Sequence, residues 1–461
     1  METGIVALKP MIAIVFLLVY LGLMLFGHKR PHIVWGAIGI LWITLTLIAF
    51  SDDPVDGFIT VGVEFFNAIS WNVLAIFTGM SIIANLFIKS RVPAWLADWL
   101  IMRSKTAGIA MLWLCALSSG ISAFVDNVAT ILIVAPIGLA IAKRLKASPV
   151  PLLIGIAISS NLQGTATLIG DPPSMIAGSF ISQHGAKFGF NEFFLFQGKP
   201  GIFFAVQTGA IFGFLVLYCF FRNYRQPVKA LLPVRIQSLF PTVILLSVIA
   251  SLAVSTRFDP TFSYFGGTAC VIGATIGLIW QYFDKSTKAD GSLSDNGYKS
   301  NLVTLRRFDP ETPIFLAGIF ILVSLVEKSG MILDIAGLIQ RLFGDNLFLT
   351  YTMLVWISVI LSGFIDNIPY IMVMLPVAAE LGGRLGGANG SAFYLLAFGL
   401  LIGACLGGNC TPIGASANVV SLGLLKKEGH SVGFGEFMKI GIPFTLAATL
   451  AGYLFLWFVW R

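Results

Sequence analysis

Long apolar runs separated by short polar segments dominate the sequence. The clearest runs cover residues 10–27, 31–50, 71–88, 201–221 and 440–460. A helix of about 20 apolar residues is long enough to cross the hydrocarbon core of a bilayer. The pattern therefore predicts an all-α polytopic membrane protein, which crosses the lipid bilayer of the cell membrane several times.

Composition excludes a soluble globular protein. Hydrophobic residues make up 57% of the 461 positions and charged residues 11%, against about 25% charged residues in an average soluble domain. The five cysteines include no CxxC pair, the four histidines show no metal-ligand spacing, and no nucleotide-binding loop is present. We therefore expect no disulfide, no cofactor other than a coupling ion, and no ATP-driven pumping.

The basic residues predict the orientation of the chain in the membrane. The net charge of +7 is spread over the ends of apolar runs, so we expect no nucleic-acid partner. Basic loops favour the cytoplasmic side, and most of these residues face it if the first run enters from outside. Arg30 and the polar stretch 284–311, a predicted long loop, are then cytoplasmic, whereas the acidic turn with Asp52, Asp53 and Asp56 lies outside.

Several sequence anchors recur roughly 240 residues later in the same order, which is typical of an internal repeat. The order predicts a first repeat over residues 1–229 and a second over residues 230–461. Lys89 is cytoplasmic in the predicted topology, whereas its counterpart Lys328 lies outside, so we expect inverted repeats, a transporter signature. The recurring anchors are Gly79 as Gly318, Asp126-Asn127 as Asp366-Asn367, and Gly164 as Gly408.

Two apolar segments are interrupted in the middle by an Asp-Asn pair. Residues 107–145 are interrupted at Asp126-Asn127 and have basic residues at both ends. Both ends therefore belong on one face, which predicts a re-entrant helical hairpin with the pair at its tip. Residues 347–385 predict an equivalent hairpin, with Asp366-Asn367 at its tip, entering from the other side.

Two further helices are predicted to be broken inside the membrane. Residues 149–184 are interrupted over 164–174, and residues 391–427 over 408–418, by clusters of Gly, Pro, Thr, Ser and Asn. Proline cannot continue the helical hydrogen-bond ladder, and unpaired backbone is tolerated at membrane depth only where protein or a cavity satisfies it. Unwound carbonyls can ligate a cation, and half-helix N-termini can face an anion.

The aspartates at the predicted tips have two interpretations. Each can simply cap the second helix of its hairpin. An ionised Asp in the bilayer costs about 2.5–3.5 kcal/mol on insertion scales, however, and Asn or Ser would cap without that cost. A carboxylate beside Asn127 or Asn367 can bind Na⁺, or can carry a proton instead.

Small polar residues at the breaks complete the candidate sites, although packing between helices is about as good an explanation for any one of them. Occurrence at matching positions of two repeats favours binding. Na⁺ can be held at both Asp-Asn pairs. The candidate cation or proton site comprises Asp126, Asn127, Thr165, Thr167, Asp366, Asn367, Asn409 and Thr411. The candidate substrate site comprises Gly164, Gly170, Asp171, Gly408, Gly414, Ser416 and Asn418.

Four motifs carry a resemblance to a known family. They are Ser-Ala-Phe-Val-Asp-Asn from Ser122, Gly-Thr-Ala-Thr-Leu-Ile-Gly-Asp-Pro-Pro from Gly164, Phe-Ile-Asp-Asn-Ile-Pro-Tyr from Phe364, and Gly-Gly-Asn-Cys-Thr-Pro-Ile-Gly-Ala-Ser-Ala-Asn-Val-Val from Gly407. The chain resembles the ion transporter superfamily with its citrate transporter-like domain. It is most similar to the group of the P protein (pink-eyed dilution), the arsenite permeases and the NhaD-type antiporters.

The resemblance implies a mechanism and an assembly. Similar dicarboxylate symporters have two sodium sites with substrate between them, and they work as elevators in which a transport domain slides against a scaffold, commonly in a homodimer. Their tips carry Ser-Asn-Thr, whereas this chain has Asp126 and Asp366 in place of Ser, and Val128 and Ile368 in place of Thr. The departure favours a cation or proton that needs a full negative charge.

The leading functional expectation is a secondary transporter that moves a small inorganic ion, favoured to be an anion, coupled to Na⁺ or H⁺. A Na⁺/H⁺ antiporter and an arsenite efflux permease are the alternatives. A passive channel is a further alternative that the sequence leaves open. Two membrane aspartates also suit an intramembrane aspartyl protease. The pairing motifs of such proteases are absent around the second Asp, so we expect no enzyme activity.

Overall fold

The structure is a computed structural model that describes residues 2–26, 29–49, 54–145, 147–184, 186–228, 234–283, 297–306, 308–386 and 390–461. Asp52 and Asp53 of the predicted acidic turn, and residues 284–296 and 307 of the predicted cytoplasmic loop, lie outside these ranges. Within them the chain is almost entirely helical. A small antiparallel pair of strands, Leu195–Phe196 and Lys199–Pro200, follows the first ten helices.

The first half of the chain contains eleven of the described helices. They are α1 Glu2–Ala7, α2 Lys9–Leu25, α3 Arg30–Ala49, α4 Pro54–Ala68, α5 Trp71–Lys89, α6 Val92–Met102, α7 Ala107–Ser122, α8 Asn127–Leu145, α9 Pro149–Gly164, α10 Pro172–Gln183 and α11 Ile202–Phe221.

The second half contains the remaining ten described helices. They are α12 Phe240–Phe258, α13 Phe265–Phe283, α14 Gly297–Arg306, α15 Glu311–Lys328, α16 Met331–Phe343, α17 Leu347–Ser362, α18 Asn367–Leu385, α19 Ser391–Gly407, α20 Ser416–Lys427 and α21 Phe434–Trp460. A 3₁₀ turn, Gly408–Cys410, continues α19.

The helices confirm a polytopic membrane protein. In the described part of the chain, nine helices are long and apolar enough to cross a membrane, and the number rises to ten if the bent pair α15 and α16 counts as one span. The angle between α15 and α16 is 68°. The shorter apolar helices include α7 and α17, which end at Ser122 and Ser362, shortly before the two Asp-Asn pairs.

The helices pack as two bundles. The hairpin bundle consists of α7–α11 and α17–α21, and the flanking bundle consists of α2–α5, α12, α13 and α15. Between the bundles lie α6, which contacts α5 and α7, and α16, which contacts α15 and α18. The two chain segments that were predicted to form hairpins and broken helices therefore pack together in one bundle, the hairpin bundle.

The flanking bundle contains two similar helix pairs. α5 packs on α13 at Gly79, where an added Cβ would lie 2.6 Å from the backbone of Cys270. α15 packs on α3 at Gly318, where it would lie 2.6 Å from Val34. These glycines are the anchors that suggested the internal repeat. The inverted repeats and their boundaries at residues 229 and 230 stay predictions.

The helix α14 lies within the stretch that the sequence predicted as a loop. Its residues are too polar for a search based on apolar runs to find, but Thr304 is fully buried. The Thr304 hydroxyl accepts a hydrogen bond from Lys89 Nζ at 2.6 Å and donates one to Gln281 Oε1 at 2.8 Å. These bonds attach α14 to α5 and α13.

A row of glycines on α19 allows a close helix contact in the hairpin bundle. Gly399, Gly403 and Gly407 recur every four residues and face α17. Small residues on one face let two membrane helices approach closely. Because lipid tails are themselves apolar, the dispersion contacts made at this short distance, and not the hydrophobic effect, hold the helices together. An added Cβ at Gly403 would lie 2.6 Å from the carbonyl oxygen of Val355.

We predict that Gly403→Ala lowers the melting temperature of the purified protein in detergent. The added methyl group forces α17 and α19 apart, and overpacking of this kind costs about 1–3 kcal/mol. Gly120→Ala on α7 is the matched control, because Gly120 is exposed and has no neighbour within 4 Å of the added Cβ. Helix propensity should make that control neutral or slightly stabilising, by up to about 1 kcal/mol. Equal melting temperatures for the two variants would contradict the prediction.

Candidate functional site

The first helix break rests on the first hairpin tip. Residues 165–171 separate α9 from α10, and residues 123–126 separate α7 from α8. The Thr167 hydroxyl donates a hydrogen bond to the carbonyl oxygen of Ala123. The Ser122 hydroxyl donates to Asn127 Oδ1 at 2.5 Å, and Gly164 contacts the Asn127 amide so closely that any side chain would overlap it.

The second break repeats these contacts at the second tip. The Thr411 hydroxyl donates to the carbonyl oxygen of Gly363, and the Ser362 hydroxyl donates to Asn367 Oδ1. Gly414 lies against the tip backbone, since an added Cβ would be 2.9 Å from the carbonyl oxygen of Gly363. Each break therefore supplies a hydroxyl donor to a backbone carbonyl of its tip, the kind of partner that non-helical backbone needs at membrane depth.

Each aspartate at a tip or break caps the helix that follows it. Asp126 Oδ2 accepts from the amides of Val128 at 3.0 Å and Ala129 at 3.3 Å. Asp366 Oδ1 accepts from the Ile368 amide at 3.0 Å. The capping interpretation is therefore correct for both tips, but it does not exclude binding, because a carboxylate has more acceptor positions than these bonds use.

Both tips line one cavity of about 370 Å³. Its wall includes side chains from α3, α5, α8, α9, α15, α18 and α20, so both bundles contribute to it. Asp309 and Glu311, which are exposed, lie where the cavity reaches the protein surface. The candidate residues that line the cavity are Asp126, Asn127, Asp171, Asp366, Asn367, Gly414 and Ser416.

The other candidate residues lie behind the cavity wall. Thr165, Thr167 and Asn409 are fully buried, and their side chains donate hydrogen bonds to backbone carbonyls of the protein. In this conformation Thr167 supports the first tip, and Thr165 and Asn409 bond to α9, instead of facing a ligand. The full set that does not line the cavity is Thr165, Thr167, Asn409, Thr411, Gly164, Gly170, Gly408 and Asn418.

Asp171 is the most buried of the cavity carboxylates, with 2% of its surface exposed. Its Oδ1 caps α10 through the Ser174 amide at 2.9 Å. The side chains of Cys405 and Thr165 lie beside it. Asp171 thereby joins the first break to α19 of the second half of the chain.

A cluster of three asparagines joins the two breaks, and sequence reasoning missed its central member. Asn161 on α9 donates from Nδ2 to Asn409 Oδ1 at 2.8 Å and to Asn418 Oδ1 at 3.1 Å. Asn418 Nδ2 in turn donates to the carbonyl oxygens of Gly408 and Thr411, each at 2.9 Å. Asn161 precedes the break by one turn of α9, where an apolar run still predicts an ordinary span.

Arg30 is the second residue that sequence reasoning missed. Its Nη1 lies 2.5 Å from Asp366 Oδ2 and 3.3 Å from Ser416 Oγ, so a residue predicted to mark the cytoplasmic end of a span reaches into the cavity. The only signal was a basic residue beside an apolar run, which topology explains equally well. No group of three His, Cys, Asp or Glu side chains that could hold a metal ion occurs in the described ranges.

Known proteins resemble the chain over most of its length. The CitMHS family model, described as "Citrate transporter", matches residues 9–403. The 46 kDa membrane protein of Mycobacterium leprae is 29% identical over 393 residues, which covers 84% of this chain and 86% of that protein. The P protein of Homo sapiens is 26% identical over 458 residues, which covers 84% of this chain and 53% of that protein.

Two solved transporters share the fold. The YdaH transporter of Alcanivorax borkumensis has a TM-score of 0.60 at 14% identity and covers 93% of this chain and 97% of its own. MtrF of Neisseria gonorrhoeae is described within a class of antimetabolite efflux pumps. It has a TM-score of 0.53 at 14% identity and covers 89% of this chain and 85% of its own. At this identity the similarity concerns the fold alone.

We predict that Asn161→Ala destabilises the protein because it removes the donor for two buried acceptors, Asn409 Oδ1 and Asn418 Oδ1. Leaving a buried acceptor unpaired costs about 1–3 kcal/mol. The melting temperature in detergent should fall by several degrees. Asn85→Ala is the matched control, because Asn85 Nδ2 bonds only to the Ser81 carbonyl of its own helix. The amide cluster would be unimportant if both variants melted like the unmodified protein.

Proposed function

Because the chain belongs to the citrate transporter family of the ion transporter superfamily, we propose that it moves a small ion in a process coupled to Na⁺ or H⁺. Membership in the family makes it a secondary membrane transporter with several spans, as the resemblance of its motifs implied. The coupling ion, the cargo and an elevator movement within a homodimer belong to the proposal.

The observation that carries the proposal is the meeting of both Asp-Asn tips in one cavity. Asp126 and Asn127 approach it from the first half of the chain, and Asp366 and Asn367 from the second. Binding sites of this kind lie where two halves of a transporter meet. A carboxylate with amide oxygens and broken-helix carbonyls nearby forms a suitable set of hard oxygen ligands for Na⁺, and the same carboxylate accepts a proton.

The charge of the cavity supports a cation as the directly bound ion. Five carboxylates line it, whereas Arg30 is the one basic residue among its lining side chains in the described ranges. Unlike charges at short separation attract strongly where water is excluded. The acidic residues of the lining are Asp126, Asp171, Asp309, Glu311 and Asp366. The excess of acidic over basic side chains in the lining also favours the second candidate function, which is Na⁺/H⁺ exchange without an anionic cargo.

An anionic cargo fits one corner of the same cavity. The N-termini of α8, α10 and α18 are capped by their aspartates, but α20 follows Ala415 and has no side-chain cap. Ala415, Ser416 and Ala417 line the cavity beside Arg30. Uncapped amides at a helix N-terminus with a nearby guanidinium suit a small anion. The expected cargo is an inorganic anion, and the description of the family adds citrate as an anion to test.

Flux in proteoliposomes tests the proposal. We expect anion uptake driven by a Na⁺ or pH gradient, and we expect Asp126→Asn to reduce it about tenfold or more, which corresponds to about 1.4 kcal/mol. Asp345→Asn is the control, since Asp345 is exposed and outside the cavity. Retained gradient coupling in Asp126→Asn would contradict the role of that carboxylate.

The same vesicles separate the alternatives. Gradient-driven Na⁺/H⁺ exchange that ignores chloride, oxyanions and citrate would establish the antiporter in place of the anion carrier. Arsenite efflux is tested by the growth of an arsenite-sensitive host with and without the protein. Flux that neither saturates nor responds to a coupling gradient would indicate a passive channel.

A further inference from the structure

The ion pair between Arg30 and Asp366 crosses from one bundle to the other. Arg30 begins α3 of the flanking bundle, and Asp366 caps α18 of the hairpin bundle. The Nη1 and Oδ2 atoms are 2.5 Å apart, and the side chains are 28% and 15% exposed. A pair withdrawn from solvent to this degree is screened less by salt than a fully exposed surface pair.

The first tip has no such partner among the residues that the structure describes. Within the described part of the chain, no basic side chain forms an ion pair with Asp126. The charges that act on its carboxylate are those of Asp171 and Asp309, which are acidic as well. Asp126 is therefore a carboxylate in need of a cation, whereas Asp366 already has one.

The difference follows from the flanking bundle. α3 packs on α15 and supplies Arg30 to the second tip, while α13 packs on α5, which contacts α8 beside the first tip. α13 contains no Lys or Arg at any position. The two halves thus offer similar helices to the two tips but only one guanidinium.

We infer that Arg30 is a tethered counter-cation for Asp366, so that Asp126 exchanges its cation with solution while Asp366 accepts one only after Arg30 withdraws. The inference rests on the proposed function, in which the tips bind the coupling ion, and it assigns different roles to the two tips. Arginine remains protonated in proteins, so it competes with an incoming Na⁺ or H⁺ throughout the physiological pH range.

Withdrawal of Arg30 would also loosen a contact between the bundles. A second hydrogen bond also joins the flanking bundle to the hairpin bundle: the Tyr20 hydroxyl of α2 donates to the carbonyl oxygen of Pro369 on α18 at 2.5 Å. Occupation of Asp366 by a free cation removes the charge that holds α3 to α18. Cation binding and bundle movement are thereby tied to the same carboxylate.

Labelling with dicyclohexylcarbodiimide tests the inference. This apolar reagent modifies protonated carboxyl groups, and a bound cation protects them. The full chain is purified in detergent, treated with and without Na⁺ at several pH values, and analysed by peptide mass spectrometry. We expect label on Asp126 and little on Asp366. Arg30→Gln should raise the label on Asp366 at least tenfold, and Arg30→Lys, which keeps the charge, should leave it low.

Arg384→Gln is the matched control. It removes another arginine pair on the same helix, with Glu380 at 2.8 Å, away from the cavity, and should leave Asp366 protected. Equal labelling of Asp366 and Asp126 in the unmodified protein would overturn the inference, as would a monodisperse Arg30→Gln protein in which Asp366 stays protected. If Arg30→Gln does not fold, the unmodified protein and Arg30→Lys decide between these outcomes.

Failure of the proposed function has a different result. In that case Na⁺ would not change the label on Asp126 at any pH, and no gradient would drive flux in vesicles. Protection of Asp366 by Arg30 would still be measurable in that case, so the two failures are distinguishable.

Discussion

The need to pair backbone groups where helices break inside a membrane governs this structure. At the ends of α9 and α19 the hydrogen-bond ladder stops, and no bulk water is available to replace it. Thr167 and Thr411 bond to tip carbonyls, and the glycines of each break let the tip approach. The tips and breaks are therefore mutually dependent, and the polar cavity forms where they meet.

The two halves satisfy this requirement in the same way but differ in what they add. Around the second break, Asn161 ties Asn409 and Asn418 to the first half of the chain. Around the first break, Asp171 contacts Cys405 and Thr165. One half thus contributes neutral amides where the other contributes a charge, so the two sides of the cavity are chemically different despite similar folding.

Sequence reasoning predicted those features that interrupt an apolar run. Asp126 and Asp366 stand out because charge in such a run is costly, and the structure interrupts its helices at these residues. Arg30 and Asn161 were missed for opposite reasons. A basic residue at the end of a span has a sufficient explanation in topology, and a single amide inside a helix has one in packing. The directions in which the Arg30 and Asn161 side chains point, and the residues they bond to, depend on how helices distant in the sequence pack together.

The helix α14 is another feature that the sequence pattern did not predict. It is held by a buried Thr304 and its two partners, and an amphipathic helix of this kind has too few apolar residues to be recognised within a polar stretch. Eight of the candidate residues do not line this cavity because side-chain orientation at a break depends on irregular backbone. Spacing alone does not give that orientation.

The position of Asp309 and Glu311 at the rim has a consequence for how ions arrive. Two exposed carboxylates at the rim create a negative potential outside the cavity, which concentrates cations near the entrance and repels anions. This field extends only over about one Debye length, roughly 8 Å at physiological ionic strength. The two carboxylates therefore favour the arrival of cations over anions in a salt-sensitive way, and this effect on arrival rates is separate from the affinity of the interior.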